Sequence, residues 1–171
     1  MSQGATPLVK GTAVVDLADG KKLGTIDHVY LDPEKKRIIG FSFHSGGLFG
    51  KTSGVVDMAD VHGIGPDAVT IDDASAIRSG VVIEARTSPL VDLDDLLKRK
   101  VITENGTFVG RVASIRFGEA SHGLVAIEVA PEGDAEHRLI PADRIQQLGG
   151  ELVVIAETAV RASAQRLVRV A

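Results

Sequence analysis

The sequence predicts a mainly β protein made of two tandem small β-barrels of about five or six strands each, with short helices in the linker and a C-terminal helix. Two observations predict this class: an internal repeat that covers most of the chain, and short alternating apolar runs separated by glycine-containing turns. We place the first barrel at 8–72, the linker at 73–92, the second barrel at 93–156 and the helix at 157–171.

The repeat is found by comparing the chain with itself at a shift of 86 residues. Asp19-Gly20 then falls on Asn105-Gly106. Past the glycine-rich segment 45–54 the shift becomes 84, because the second copy is two residues shorter there. The apolar matches include Val15, Ile26, Leu31, Ile39, Val56 and Ile71 with Val101, Val112, Phe117, Val125, Ile140 and Ile155. The two halves are therefore predicted to have the same fold.

Strands and hairpins are indicated in each copy by local patterns. Asp-Gly and Asn-Gly between apolar runs are typical of hairpins with a type I′ turn, which needs positive φ at both central residues. The run 39–43 alternates apolar and small residues with the period of a strand. We assign four glycines as turn residues: Gly20, Gly24, Gly106 and Gly110.

Helical patterns are confined to the linker and the C-terminus. The linker opens with Asp72-Asp73 and is long enough for one helical turn or two, and 93–97 forms another short helix with an aspartate as N-cap. Apolar residues recur at helical spacing in 156–171. This helix either docks on its own barrel or serves as a contact with a partner or a second copy, through residues such as Val160 and Leu167.

The charge does not favour direct nucleic-acid binding. The formal net charge is −4, and Asp and Glu exceed Lys and Arg in both halves. Nucleic-acid affinity depends mainly on clustered cations that neutralise phosphates. The basic run Lys98-Arg99-Lys100 lies beside three aspartates, which is typical of a solvated charged face.

Composition also limits the class of protein. The chain has no cysteine, so disulfides and thiolate chemistry are excluded. No apolar stretch approaches the length of a membrane span, and the N-terminus lacks the pattern of a secretory signal. We therefore expect a cytoplasmic protein.

Four stretches carry a resemblance to a known family. The segments 15–32 and 101–112 resemble the opening of a PRC-barrel domain, and the closings at 60–71 and 140–145 resemble its proline-containing turn and last strand. Asp57 stands where Pro141 stands in the second copy, a small departure from the pattern. The family includes the cytoplasmic part of the photosynthetic reaction-centre H subunit and the C-terminal domain of a ribosome maturation factor. The resemblance implies a role in holding or regulating a larger assembly.

Catalytic and cofactor signatures are weak. The stretch 45–52 is one residue short of the phosphate-binding pattern GxxxxGK[ST], but Ser45 replaces the first glycine and a strand, not a helix, is predicted to follow. The histidines show no metal-binding spacing, and solvated or locally bonded rings are expected. We predict no enzyme, cofactor or metal site.

Leu48 and Phe49 are unusual because they lie among glycines in the segment 44–54. They either close one end of the first barrel or contact a partner. Taken together, the sequence favours a non-enzymatic protein-binding or assembly adaptor, with a homodimer as one candidate assembly. The alternative is an RNA-processing or ribosome-associated factor.

Overall fold

The computed structural model describes residues 8–46, 53–78, 89–133 and 135–161. Contacts divide the chain into two compact units. The first unit comprises Thr6–Asp32 and Ile38–Asp94. The second unit joins the turn Pro33–Arg37 to the chain from Asp95 onward.

The first sheet has eight strands in the order β5-β6-β1-β2-β3-β4-β7, with β8 paired to β2. Its first six strands are the repeat itself, and the last two come from the predicted linker. The parallel pairing of β1 with β6 places Val14 beside Val69 in the core. The strands are β1 (Ala13–Asp16), β2 (Lys22–Asp32), β3 (Arg37–His44), β4 (Ser53–Asp57), β5 (Val61–Ile64), β6 (Ala68–Ile71), β7 (Ile77–Arg78) and β8 (Val91–Asp92).

The second sheet has six strands in the order β12-β11-β10-β9-β14-β13. Its parallel pair, β9 with β14, places Val101 beside Val153 and so repeats the first sheet. The strands are β9 (Lys100–Thr103), β10 (Phe108–Phe117), β11 (Leu124–Ala130), β12 (Arg138–Pro141), β13 (Ile145–Gln147) and β14 (Val153–Ile155).

The predicted all-β class is confirmed, with two sheets and only short helices. Within the described residues, the end strands of neither sheet pair with each other, so neither barrel is closed by strand pairing. The short helices are α1 (Leu93–Leu96), three 3-10 turns at Met58–Asp60, Ala74–Ala76 and Ala142–Arg144, and helical residues 157–161. Asp92 Oδ1 accepts a hydrogen bond from the amide of Asp94, as the predicted N-cap of α1 requires.

One detail of the repeat differs from the sequence comparison. The partner of Val101 is Val14 rather than Val15, because Val14 pairs with Gly24 as Val101 pairs with Gly110. The turn after β1 is one residue longer than the turn after β9, so a uniform shift misplaces β1 by one position.

Both predicted hairpins form, but their turns are not type I′. Gly20 and Gly106 have positive φ, at 68° and 84°, whereas neither Asp19 nor Asn105 does. The loops are longer than two residues, and in the second the amide of Gly106 donates to the carbonyl of Thr103 at 2.9 Å. A longer turn needs only one residue in the left-handed region, and glycine supplies it.

The prediction that Gly24 and Gly110 are turn residues is wrong, because both lie inside strands. A Cβ on Gly24 would lie 2.3 Å from the carbonyl oxygen of His44, and one on Gly110 would lie 2.2 Å from that of Ala130. These positions therefore allow two backbones to approach closely. Gly110 also has φ of +154°, which L side chains rarely adopt.

A lysine anchors the turn Pro33–Arg37 within the second unit. Lys36 Nζ donates to the carbonyl oxygens of Ala142 and Ile145, at 2.9 and 2.5 Å. The carbonyl of Lys36 accepts from the amide of Leu124 at 2.6 Å. The ammonium therefore caps carbonyls at and just beyond the Ala142–Arg144 turn.

The substitution of Pro141 by Asp57 between the copies leaves the backbone unchanged. Each residue is the N-cap of a 3-10 turn, with φ of −62° at Pro141 and −72° at Asp57. Aspartate adopts this extended conformation without strain, so the departure from the family pattern does not alter the backbone here.

Candidate interaction surface

The residues predicted as contacts are only partly described. Leu48, Phe49 and Leu167 lie outside the described residues. Val160 lies in the helical residues 157–161 and is half-buried, next to buried Ala159. Most of 45–52 is also outside the described residues, but β4 begins at Ser53, so a strand follows the near-match to the phosphate-binding pattern as predicted.

The outer edge of the second sheet carries an exposed apolar residue. Along β12, Ile140 is fully buried while Leu139 is 49% exposed. The repeat-equivalent residue in the first unit is Val55 on β4, which is only 8% exposed. The same position is therefore covered in one copy and open in the other.

Strand β7 adds to the edge of β4 beside Val55. Val55 pairs with Arg78, and Val56 pairs with Ile77. Arg78 also forms an ion pair with Asp60, 3.2 Å from Nη2 to Oδ2. Within the described part of the chain, no strand pairs with the corresponding edge of β12.

The charge beside this edge is inverted in the second unit. At a shift of 84, Asp60 corresponds to Arg144, and both end a 3-10 turn that follows the edge strand. The Nη1 of Arg144 donates to Thr158 Oγ1 at 3.0 Å, and its Nε lies 4.0 Å from a carboxylate oxygen of Asp143. A guanidinium has five N–H donors, so these contacts leave others for a further acceptor.

A second position on the neighbouring strand behaves in the same way. Val125 on β11 is 53% exposed, whereas its repeat equivalent Ile39 on β3 is 9% exposed. Val125 lies where the register between β10 and β11 shifts, next to the pair Phe117–Leu124. The second unit thus exposes two apolar side chains where the first unit buries them.

A polar cluster occupies the face of β2 in the first unit. His28 Nδ1 contacts a carboxylate oxygen of Asp92 on β8, and its ring stacks on Tyr30 with centroids 6.2 Å apart. His28 and His44 also lie 3.4 and 3.8 Å from Asp27, and Lys10 Nζ lies 3.3 Å from it. Desolvation acts to raise the pKa of Asp27, but the hydrogen bond from Lys10 and the nearby cationic groups outweigh it and hold that pKa below its ordinary value.

The second unit has a related cluster at repeat-equivalent positions. Glu128 Oε1 accepts from His137 Nδ1 and Oε2 accepts from Ser114, both at 2.8 Å, and Arg116 is 3.8 Å away. The hydrogen bond from His137, followed by that from Ser114, holds the pKa of Glu128 below its ordinary value. Ser114 and Glu128 correspond to His28 and Ser42 at a shift of 86.

Three histidines that are about half exposed have carboxylate partners. His62 pairs with Asp72 at 2.7 Å, and His28 and His137 have the carboxylate partners above. No local pattern predicts the pair of His28 with Asp92, because the residues are 64 positions apart. Across the described ranges, no group of three or more His, Asp or Glu side chains is arranged to hold a metal ion.

The basic run is partly used within the second unit. Arg99 Nη1 donates to the carbonyl oxygens of Leu148 and Gly150, at 2.8 and 2.6 Å. Lys98 has φ of 70°, and its carbonyl accepts from Arg111. These contacts tie the segment before β9 to the rest of the second unit.

The family model of the PRC-barrel domain matches residues 7–86 and again 90–161. The chain therefore belongs to the PRC-barrel family and carries two copies of its domain, as the resemblance implied. No curated protein matches the chain significantly. None of the described helices is both long enough and apolar enough to cross a membrane.

Three residues of the candidate surface were not identified from the sequence: Val125, Leu139 and Arg144. The repeat comparison matches Val125 to Ile39, and the match of two apolar residues gives no sign that one of them is exposed. The exchange of Asp60 for Arg144 was visible in the same comparison. Only the structure shows that Asp60 pairs with an added strand.

Proposed function

We propose that this PRC-barrel protein is a non-enzymatic adaptor that binds another protein through exposed apolar residues of its second unit. The observation that supports the proposal is the exposure of Val125 and Leu139 where the first unit buries the equivalent side chains. The difference between equivalent positions is what matters, since single exposed apolar residues are common on protein surfaces. A folded partner or a second copy of the chain would remove them from water.

The alternative of direct RNA contact has less support. Arg99, at the centre of the basic run, donates to carbonyls of its own unit. The net charge of −4 also opposes binding to phosphates. We infer a protein contact, and the absence of cysteine fits a cytoplasmic setting.

The test is affinity capture with a matched pair of double variants of the full chain. Val125→Ser with Leu139→Ser removes the candidate surface, and Val9→Ser with Leu17→Ser removes similarly exposed apolar residues of the first unit. Proteins that the wild-type chain retains are quantified by mass spectrometry for each variant. We expect the first variant to retain at least about tenfold less of the partner than the wild type, and the second variant to retain as much as the wild type. Both variants should have melting temperatures close to that of the wild type.

Equal retention by both variants would contradict the proposed surface. A chain that retains no protein but converts a small molecule would contradict the adaptor function itself. Equilibrium sedimentation of the wild type identifies a second copy as the partner, if the Val125→Ser, Leu139→Ser variant alone becomes monomeric.

A further inference from the structure

The first unit contains an example of how the edge of its repeat can be covered. Strand β7 adds to β4 in an antiparallel register, with Ile77 opposite Val56 and Arg78 opposite Val55. The Cγ2 atom of Ile77 approaches Gly54 so closely that a Cβ there would lie 2.4 Å from it. The added segment therefore uses one apolar residue, one charged residue and its backbone.

We propose that the equivalent edge of the second unit, β12, binds an extended acidic segment of a partner protein by strand addition. This inference rests on the proposed protein-binding function and names the partner's chemistry. The segment places an apolar residue opposite Ile140 and an aspartate or glutamate opposite Leu139, within reach of Arg144. It pairs in the register that β7 has in the first unit. Arg138 stands at the position of Gly54, however, so the segment's apolar side chain does not make the close approach that Ile77 makes there.

The backbone and the apolar contact favour a strand. An open strand edge presents amide and carbonyl groups that pair with any extended segment, and side-chain contacts supply the specificity. Leu139 is exposed beside this edge, whereas its equivalent Val55 is buried and pairs with Arg78 of β7. A segment that adds to β12 would pair with Leu139 in the same way.

The charge favours an acidic segment. In the first unit Arg78 of the added strand forms an ion pair with Asp60. In the second unit Arg144 occupies the position of Asp60. Arg138, the first residue of β12, adds a second cation to the same edge strand. The chain's own C-terminal residues 162–171 carry Arg166 and Arg169 and no Asp or Glu, so their charge does not match this edge.

The experiment uses two synthetic peptides of about eight residues, rich in Val and Thr, that differ at one position. One has Ile followed by Asp, and the other has Ile followed by Arg, as at 77–78 of this chain. Each is titrated into the full-length, isotope-labelled protein, with affinity read from fluorescence anisotropy and location from amide chemical shifts. We expect the acidic peptide to bind at least about tenfold more tightly than the basic one, with the largest shifts at Leu139 and Ile140.

Three charge variants sharpen the test. Arg144→Glu should reverse the preference for the two peptides, and Arg144→Gln, which keeps hydrogen-bonding capacity, should reduce it to less than about twofold. Arg111→Glu changes the net charge equally at an exposed arginine of β10 and should leave the preference unchanged. Melting curves of all three confirm that the variants are folded.

Equal affinity for the two peptides, no binding, or shifts centred on other strands would overturn the proposal. Protection, in the free monomer, of the β12 amides that point away from β11 would also overturn it, because the chain's own residues would then occupy the edge; the amides that face β11 are hydrogen-bonded in any case. Protection of the outward amides only in a dimer would assign the edge to a second copy. These outcomes are independent of the affinity capture. A chain that retains a protein through Val125 but shows no peptide preference is an adaptor without this strand site.

Discussion

The two units of this protein share a core and differ at their edges. In the first unit the linker contributes β7 and β8, which cover the outer edge of β4 and part of the edge of β2. In the described part of the second unit, the chain passes from β14 directly into the helical residues 157–161. Because exposed strand edges invite pairing, the difference shows that the two copies have diverged in edge protection rather than in core packing.

The same divergence appears in the polar groups. Each unit has a histidine–carboxylate pair on its sheet. In the first unit the pair is His28 on β2 with Asp92 on β8, and in the second unit it is His137, just before β12, with Glu128 on β11. Asp60 and Arg144 exchange sign at the end of equivalent 3-10 turns. Surface charge has therefore changed at positions where the backbone has not.

The largest effect is expected at the glycines where two backbones meet. Gly24→Ala should reduce the free energy of unfolding by about 3 kcal/mol, because the new Cβ overlaps the carbonyl of His44. Gly110→Ala should reduce the free energy of unfolding by roughly 1 kcal/mol more than Gly24→Ala does, because the φ of +154° at Gly110 adds backbone strain to the overlap with Ala130. Urea denaturation of the full chain measures both.

Gly46→Ala is the control for this pair, because no atom of the described part of the chain lies within 4 Å of its added Cβ and no positive φ is involved. It should change the free energy of unfolding by less than about 0.5 kcal/mol. Equal losses for Gly24→Ala and Gly46→Ala would show that the close approach is not what requires glycine. A smaller loss for Gly110→Ala than for Gly24→Ala would contradict the role given to its backbone conformation.

An intermediate effect is expected when the covered edge is opened. Ile77→Asp should weaken the addition of β7 to β4 and lower the free energy of unfolding by about 1–2 kcal/mol, because a half-buried apolar side chain is replaced by a charge. Amide hydrogen exchange along β4 should then accelerate towards the rate observed along β12. This variant makes the first unit resemble the second.

Arg78→Ala is the control for the opened edge, since it removes only an exposed ion pair with Asp60. Such pairs contribute less than about 1 kcal/mol, so exchange along β4 should change little. If exchange is as slow in Ile77→Asp as in the wild type, then β7 does not protect the edge, and the contrast with β12 needs another explanation.

The sequence predicted the fold class, the repeat and both hairpins because these depend on short-range patterns, such as alternation along β3 and β11 and a glycine after Asp19 or Asn105. It misassigned Gly24 and Gly110, because the contact that requires glycine comes from a strand about 20 residues away. The candidate surface was missed for a related reason. Val125 and Ile39 are both apolar, and only the neighbouring strands decide which one is buried.

The smallest expected effect compares the two polar clusters by their pH dependence. The pKa of Glu128 lies below its ordinary value of 4.5, so the unfolded chain binds a proton at this site more readily than the folded chain. Its contribution to stability is therefore complete above pH 4.5 and is lost as the pH falls through the lower pKa of the folded state. The pKa of Asp27 also lies below its ordinary value, which is 3.8, so the contribution of Asp27 to stability is lost at a lower pH than that of Glu128.

Glu128→Gln should therefore make the loss of stability below pH 4.5 shallower, by less than about 1 kcal/mol because solvent screens this partly exposed group. Asp27→Asn should leave that range almost unchanged and act only at more acidic pH. Urea denaturation at a series of pH values between the two ordinary values separates the variants. Glu119→Gln, which removes the same charge from the turn after β10, is the control. If Glu119→Gln flattens the curve as much as Glu128→Gln does, the effect follows from net charge, and the hydrogen bonds from His137 and Ser114 are not its cause.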